Sequence, residues 1–339
     1  MNRAALGSAM ARRTSPHLLL VLRDRPGLKE AVRARLPSVP AALLSEMRPD
    51  AVGDVEAALL GSIAREGSGW EPSAYPRLRF VQRLYAGVDD VPFASIPERV
   101  EVAGNVGGYS PFVAEHAVTL ALASARCVVE GNARVAAGKL RPPPPLRSLY
   151  GETAVILGYG AIGQALADRL RSFGMTTVGL NRTGRPIPGC ERMYPQERLR
   201  EAVGAGRFVF DARPLTTRTR LSLGRSEFEA MAPDATFVNV GRAGTVDEEA
   251  LYRHLLAHPE FRAALDVWWE EDFGRGTLGH RFPFSTLPNF VGSPHLAAFS
   301  PKVEAYALEK ALDNLARFFA GERPAHVVDR TEYAGLAPV

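Results

Sequence analysis

Two cysteines, Cys127 and Cys190, are all that this 339-residue sequence contains. Two thiols make neither a disulfide framework nor a metal-ligand cluster, so no metal is predicted, and reduced thiols in a cytoplasmic protein are the simplest interpretation. The sequence also lacks the run of about 18 apolar residues that a membrane-spanning helix needs. The longest candidate, residues 117–129, is interrupted by Arg126, so no membrane association is expected.

Blocks of like charge are missing as well, and no basic stripe alternates with aromatic residues. The net charge is only +4, which favours a solvated basic surface over a nucleic-acid interface. Such a mild positive bias also suits small anionic ligands. The rest of the composition, 46% apolar and 23% charged, is that of an ordinary globular protein, and the length allows two domains.

Six short apolar runs follow residue 150 and alternate with segments of helical spacing. This alternation predicts a doubly wound parallel sheet that is covered on both faces, as in dinucleotide-binding domains. Three earlier runs, at residues 17–22, 57–61 and 79–85, predict a second α/β domain. The six later runs are at residues 153–158, 176–180, 208–212, 236–240, 263–267 and 289–293.

The connections between these parts set the expected domain boundaries. Residues 1–15 are expected to form a loose tail, and a long helical stretch covers about 111–138. The prolines at 142–145 then exclude a helix. A last helix, at about 301–320, leads back to the first domain. We therefore expect the first part of a substrate domain at 1–115, a dinucleotide-binding domain at 116–299, and a return segment to the substrate domain at 300–339.

The first of the six runs is followed by the pattern G-x-G-x-x-G. Its first Gly permits a tight turn, its second lets the backbone approach a pyrophosphate, and its third lets helix and strand pack closely. Because the pattern follows a predicted strand and opens a predicted helix, it predicts a dinucleotide site. The residues are Gly158, Tyr159, Gly160, Ala161, Ile162 and Gly163.

The second run is followed by Asn181, at the position where an Asp or Glu would bind the ribose 2′-hydroxyl of NAD. An acid at this position would repel a 2′-phosphate. This chain instead offers Arg182, Thr183 and Arg185 as phosphate donors. The stretch predicts NADP as the preferred cofactor. The alternative is that the arginines are ordinary surface residues and NAD is bound less selectively.

Ligands of an open parallel sheet bind beyond the carboxyl ends of its strands, so the residues after the other runs are candidates too. Pro214 can form one wall of the adenine or ribose pocket, and Arg213 is either a further phosphate contact or a solvated side chain. An Arg, two acids and a His follow the last three runs. Together they indicate a catalytic edge, and they are Arg242, Asp266, Glu271 and His295.

The order and spacing of these motifs resemble the D-isomer specific 2-hydroxyacid dehydrogenases, the family of glyoxylate/hydroxypyruvate reductases and phosphoglycerate dehydrogenases. The resemblance covers nearly the whole chain. It implies two Rossmann-like domains, with the dinucleotide-binding domain inserted in a flavodoxin-like substrate domain. The motifs are LYAGVDDV (84–91), NVGGYSPFVAEHAVTLAL (105–122), GYGAIG (158–163), PLTTRT (214–219), VNVGRAGTVDEEAL (238–251), ALDVWWEED (264–272) and SPHLA (293–297).

The resemblance assigns catalytic roles to Arg242, Glu271 and His295. Reduction of a 2-keto acid needs a hydride at carbon and a proton at oxygen, and a protonated His is suited to supply that proton. Glu271 would orient the imidazole and favour its charged form. Arg242 would hold the substrate carboxylate and polarise the carbonyl with its planar fork. Asp272 departs from the family, which usually has a Pro there, and adds negative charge beside Glu271.

Further contacts are implied by the same resemblance. Asp266 matches an acid near the nicotinamide carboxamide, and Thr219 and Gly241 fall in the cofactor site. The substrate would meet Arg242, His295 and the backbone N–H groups of a loop in the first domain, which Asp89 is expected to brace. The residues of that loop are Ala86, Gly87 and Val88.

The sequence thus predicts a cytoplasmic NADP-dependent enzyme that reduces a small 2-keto acid of the glyoxylate/hydroxypyruvate type to the D-2-hydroxy acid. A homodimer is expected, with the 111–138 segment reaching across to the partner. Two alternatives remain open. One keeps the fold but uses another small anionic donor, as formate or phosphite dehydrogenases do. The other is a non-enzymatic dinucleotide-sensing protein of the corepressor type.

Overall fold

A computed structural model describes residues 15–140 and 145–336. The predicted tail at 1–15 and the proline run at 142–145 lie outside these residues, apart from Ser15 and Pro145. The first sheet is parallel, with the strand order β2-β1-β3-β4-β5. Its inner strands are fully buried because they consist almost entirely of apolar residues. The strands are β1 (Leu18–Val21), β2 (Ala41–Leu43), β3 (Ala57–Leu60), β4 (Phe80–Arg83) and β5 (Glu101–Ala103).

The second sheet is also parallel and has the order β14-β11-β10-β9-β6-β7-β8. Seven strands form it among the described residues, where the apolar runs predicted six. The additional strand is β8, an edge strand whose sequence RMYP contains no apolar run. The strands are β6 (Thr153–Leu157), β7 (Thr176–Asn181), β8 (Arg192–Pro195), β9 (Phe208–Asp211), β10 (Thr236–Asn239), β11 (Arg262–Leu265) and β14 (Phe290–Gly292).

A separate antiparallel hairpin, β12 (Glu270–Asp272) with β13 (Thr277–Gly279), projects between β11 and β14. The helices cover the faces of the two sheets. In chain order they are α1 (Leu28–Arg35), α2 (Ile63–Glu66), α3 (Ser110–Ala125), α4 (Val128–Ala136), α5 (Ala161–Ser172), α6 (Leu199–Val203), α7 (Arg225–Ala230), α8 (Glu248–Ala257) and α9 (Pro301–Phe319).

The single helix expected at 111–138 is in fact two helices. Cys127 has a φ of 50°, in the left-handed region, so the backbone hydrogen-bond ladder stops there and α4 turns away from α3 by 54°. Helix α3 is buried and packs against α5 and the second sheet, whereas α4 exposes Val128, Val129 and Val135. The break therefore places an apolar surface outside the core of the second sheet.

Helix α9 returns to the first sheet, as predicted, and packs against α1 and β4. Its buried face includes Leu308, Leu312 and Leu315. In residues 15–140 and 145–336 no single helix has the length and apolarity to cross a membrane, and only α3 and α4 taken together as a bent pair reach that threshold.

Candidate active site

The glycine-rich loop after β6 has the geometry of a pyrophosphate cradle. Gly158 has a φ of +88°, and a Cβ at this position would lie 3.0 Å from the backbone of Arg213. A Cβ on Gly163 would overlap the carbonyl oxygen of Gly158, whereas Gly160 faces open space. The first three N–H groups of α5, at residues 161–163, precede the helical ladder and are available to an anion. The loop thus fits a dinucleotide.

Tyr159 directs its side chain away from this cradle. It is 2% exposed, and its hydroxyl lies 3.3 Å from Thr177 Oγ1. Burial raises the pKa of the Tyr159 phenol. Only the backbone of Tyr159 is therefore placed near the predicted dinucleotide.

The turn after β7 is shaped by Asn181. Its side-chain oxygen accepts hydrogen bonds from the N–H groups of Thr183, at 3.0 Å, and Gly184, at 2.7 Å. Its amide nitrogen donates to the carbonyl of Arg185 at 2.9 Å. The side chain of Asn181 therefore holds the turn, and the exposed residues Arg182, Thr183 and Arg185 are the ones presented to a ligand.

The phosphate contact predicted for Arg213 stays a prediction. The alternative of a solvated Arg213 is wrong, because its side chain is only 3% exposed. Its guanidinium instead donates two hydrogen bonds to the fully buried Asp211, from Nε at 2.9 Å and from Nη2 at 2.7 Å. A buried carboxylate needs such a partner, and the planar fork matches it. Arg213 also packs closely against the end of β10. A Cβ on Gly241 would lie only 2.6 Å from the carbonyl oxygen of Arg213.

The side chain of Thr219 has a structural role, and its predicted cofactor contact stays a prediction. It is 7% exposed, its hydroxyl donates to the carbonyl of Pro214 at 2.6 Å, and its oxygen accepts from the N–H of Thr216 at 2.8 Å. The hydroxyl therefore closes the turn at 214–219. Pro214 itself is exposed at the sheet edge, and its role as a pocket wall stays a prediction.

His295 and Glu271 meet as a hydrogen-bonded pair. His295 Nδ1 lies 2.9 Å from Glu271 Oε1, and the side chains are 27% and 10% exposed. The N–H of Trp268 donates to the same carboxylate oxygen at 2.8 Å, which fixes its direction. Phe273, in the β12–β13 hairpin, contacts the imidazole edge-on with ring centroids 5.0 Å apart. With Nδ1 occupied by Glu271, Nε2 is the ring nitrogen that can exchange a proton with a ligand.

Asp266 holds the loop that carries His295, and its predicted contact with the nicotinamide stays a prediction. It is 1% exposed, and its oxygens accept from Ser293 Oγ and from the N–H groups of Leu296 and Ala297, at 2.8 and 3.0 Å. Burial acts to raise the pKa of Asp266, but His116, Ser293 and the two N–H groups outweigh it and leave the pKa below its usual value.

His116 joins this cluster, which the sequence did not indicate. Its Nε2 lies 2.9 Å from Ser293 Oγ and 3.2 Å from Asp266 Oδ1. Its neighbours come from β11 and from the segment after β14. Since α3 packs on these strands only in the folded chain, no local pattern around residue 116 could have revealed the contact.

Arg242 reaches across to the loop of the first domain. Its Nε donates to both oxygens of Asp89, at 3.0 and 3.2 Å, and its Nη1 donates to the carbonyl of Gly241 at 2.9 Å. Its Nη2 lies directly against Gly87, where a Cβ would overlap it. Burial would raise the pKa of Asp89, which is 8% exposed, but Arg242 outweighs burial and keeps that pKa below its ordinary value.

Asp89, which the sequence predicted to brace the loop at 86–88, thus forms an ion pair between the two domains. The adjacent loop carries Ala86, Gly87 and Val88. Within the described part of the chain, no oxygen accepts a hydrogen bond from their three N–H groups. These donors and the free Nη2 of Arg242 therefore lie together, as carboxylate recognition requires.

The side chains of Trp268, Trp269 and Asp272 form hydrogen bonds that hold the backbone around Glu271. Trp268 Nε1 donates to the carbonyl of Ser293, and Trp269 Nε1 donates to that of Val246, both at 3.0 Å. Asp272 Oδ1 accepts from the N–H groups two and three residues further on, at 2.9 and 3.0 Å, so it caps the hairpin turn. Its carboxylate is engaged there and not with the imidazole.

A dinucleotide cradle and a carboxylate-binding edge on one doubly wound sheet define a nicotinamide-dependent dehydrogenase. The profile of the "D-isomer specific 2-hydroxyacid dehydrogenase, NAD binding domain" matches residues 118–297, more than half of the chain. The chain belongs to the D-isomer specific 2-hydroxyacid dehydrogenase family.

Individual relatives agree with this family. The glyoxylate reductase of Thermococcus gammatolerans is 33% identical over 264 residues, which cover 75% of this chain and 77% of the relative. A Pyrobaculum aerophilum structure, provisionally named a formate dehydrogenase, has a TM-score of 0.79 and 31% identity, and the match covers 94% of this chain and 99% of that one. A D-isomer specific 2-hydroxyacid dehydrogenase from Xanthobacter autotrophicus Py2, solved with NADPH and MES, has a TM-score of 0.76, 25% identity and coverage of 93% and 98%.

Proposed function

We propose that this protein uses NADPH to reduce a small 2-keto acid, of the glyoxylate or hydroxypyruvate type, to the D-2-hydroxy acid. The observation that carries the proposal is the position of Arg242. Its Nη2 lies against Gly87 and beside three N–H groups that have no acceptor among the described residues. The negative charge of Glu271 also acts on this guanidinium. The similarity to a glyoxylate reductase supports this substrate class.

Binding of the keto acid is assigned to the loop and to Arg242. The carboxylate accepts hydrogen bonds from the N–H groups of Ala86, Gly87 and Val88, while Arg242 donates to a carboxylate oxygen and to the carbonyl oxygen. Because Asp89 holds Nε, the guanidinium is fixed before the substrate arrives. Such preorganised donors stabilise negative charge that develops on the carbonyl oxygen during reduction.

His295 donates the proton that the reduced carbonyl oxygen needs. The protonated ring uses Nδ1–H toward Glu271 and Nε2–H toward the substrate oxygen, so the carboxylate fixes the orientation of the ring. Asp266 positions His295 through the main chain, because the backbone carbonyl of Asp266 accepts a hydrogen bond from the N–H of His295 at 2.9 Å.

NADPH supplies the hydride when it is bound. The residues that would hold it are the glycine loop at 158–163 for the pyrophosphate and Arg182, Thr183 and Arg185 for the 2′-phosphate. This preference is supported by the absence of an acid after β7 and by the exposure of these donors. The NADPH bound to the Xanthobacter relative agrees with it.

A homodimer is proposed as well. Helix α4 exposes apolar side chains, with Val128 at 55%, Val129 at 58% and Val135 at 76% exposure. A surface of this kind is typical of an interface between subunits. Sedimentation should give a dimer at micromolar concentration, and Val129→Asp with Val135→Asp should give a monomer.

Formate oxidation is the second candidate, because the Pyrobaculum structure resembles this chain over almost its full length. The deciding experiment supplies glyoxylate, hydroxypyruvate and further 2-keto acids with NADPH or NADH, and in parallel formate with NADP or NAD. Turnover of a keto acid supports the proposal. Formate oxidation without keto acid reduction contradicts it.

A further inference from the structure

The turn after β7 carries an exposed ion pair with a residue that is distant in the sequence. Arg182 Nη1 lies 3.0 Å from Glu332 Oε1, and the two side chains are 65% and 20% exposed. Glu332 belongs to a short 3-10 helix, Arg330–Tyr333, after α9. An acid supplied by the C-terminal segment therefore pairs with the arginine that follows β7.

The backbone of Glu332 is held independently of its carboxylate. The guanidinium of Arg330 donates to backbone carbonyls of the first domain, and Tyr333 stacks on Phe93 with ring centroids 5.5 Å apart. On the other side, the N–H of Thr217 donates to the carbonyl of Glu332 at 2.8 Å. The carboxylate is consequently presented to Arg182 by a fixed main chain.

A second carboxylate of the segment lies near the same arginine. The pKa of Asp329 is lowered, mainly by hydrogen bonds from Thr331 and further by the charges of Arg182 and Arg218. Arg182 thus faces negative charge from two side chains of this segment. An arriving 2′-phosphate, which carries a charge of about −1.5 to −2 at neutral pH, would meet this charge too.

We propose that Glu332 is a specificity-determining residue, whose carboxylate competes with the 2′-phosphate of NADP(H) for Arg182. The inference rests on the proposed use of NADP(H). A 2′-phosphate has to displace Glu332 from the guanidinium and is repelled by it, whereas a neutral 2′-hydroxyl can donate a hydrogen bond to the carboxylate. Glu332 therefore weakens the preference for NADP(H) that Arg182 creates.

The test uses adenosine 2′,5′-bisphosphate and 5′-AMP, which differ by the 2′-phosphate and carry no nicotinamide, so binding is measured without turnover. By calorimetry, Glu332→Gln should bind the bisphosphate about fivefold more tightly than the wild type does, the size expected for one exposed ion pair. Its affinity for 5′-AMP should stay the same or fall. The gain should shrink as salt is added, because the pair is exposed.

The matched control is Glu322→Gln, which removes an exposed carboxylate from the same segment, 3.1 Å from Arg317, and should change neither affinity. In the Arg182→Ala background, Glu332→Gln should give a smaller gain, because the competition for Arg182 is gone and only the repulsion of the 2′-phosphate remains. An unchanged bisphosphate affinity in Glu332→Gln overturns the inference even if the wild type prefers NADPH. A wild type without that preference, combined with a gain in Glu332→Gln, supports the inference and contradicts the proposed cofactor.

Discussion

The most direct test of the proposed substrate site is Gly87→Ala. The backbone of Gly87 lies outside the left-handed region, so alanine is allowed there. The new Cβ would overlap Arg242 Nη2, lie 3.0 Å from Arg242 Cζ and lie 2.8 Å from Asp89 Oδ1. Since carbon and nitrogen atoms prefer separations of about 3.5 Å or more, the guanidinium has to move by roughly 1 Å.

The clash involves the end of a flexible side chain, so the variant should fold and bind NADPH as the wild type does. A displacement of about 1 Å at a group that holds the substrate typically costs about 10²-fold in rate. We therefore expect kcat/KM for the keto acid to fall by about 10²-fold, as measured by NADPH oxidation. The N–H of residue 87 is retained, so the loss reports on Arg242.

Gly53→Ala is the matched control, because it lies in the same domain, has no positive φ, and its Cβ would meet no atom within 4 Å. It should keep full activity. If Gly87→Ala reduces glyoxylate and hydroxypyruvate as fast as Gly53→Ala does, Arg242 does not bind the substrate from the position described.

Four further variants test other parts of the site and the fold. Glu271→Gln removes the carboxylate that orients the imidazole and should lower kcat, whereas His295→Ala should lower turnover by about 10²- to 10⁴-fold. Unchanged turnover in Glu271→Gln would exclude Glu271 as the partner. Asn181→Asp combined with Arg182→Ala should favour NADH in binding titrations, and retention of NADPH preference would locate the 2′-phosphate elsewhere. Burial lowers the pKa of His254 from 6.5 to about 4, so the unfolded chain gains the proton first as pH falls. Between pH 7 and pH 5, the free energy of unfolding of the wild type should therefore drop by about 2 kcal/mol more than that of His254→Phe, as measured by urea unfolding. Equal drops in the two proteins would refute this.

The parts of the fold that were predictable are those with a local cause. The glycine pattern at 158–163 and the buried runs of the second sheet follow from backbone sterics and burial, and they place His295 and Arg242 at one edge. The edge strand β8 was missed because half-exposed residues carry no apolar signal. The break at Cys127 was missed because α3 and α4 both have helical spacing and no Gly or Pro separates them.

The errors at the site concern side chains whose partners are set by tertiary structure. Arg213 looked like a surface donor because nothing in its neighbourhood shows that Asp211, at the end of a central strand, is fully buried. Glu332 was overlooked because it lies 150 residues from its partner Arg182. Sequence identifies which residues follow a strand, but the direction of each side chain depends on what the folded chain places opposite it.

The ion pair between Arg242 and Asp89 has a thermodynamic consequence for the proposed reaction. Arg242 carries one positive charge, while Asp89 and the nearby Glu271 carry two negative ones, so an anionic keto acid enters surroundings that are already negative by one charge unless His295 holds a proton. Capture of the substrate therefore depends on the N–H groups at 86–88 and the free Nη2 of Arg242, and not on a net positive charge. Added salt screens long-range attraction, so it should change the KM for the keto acid only little.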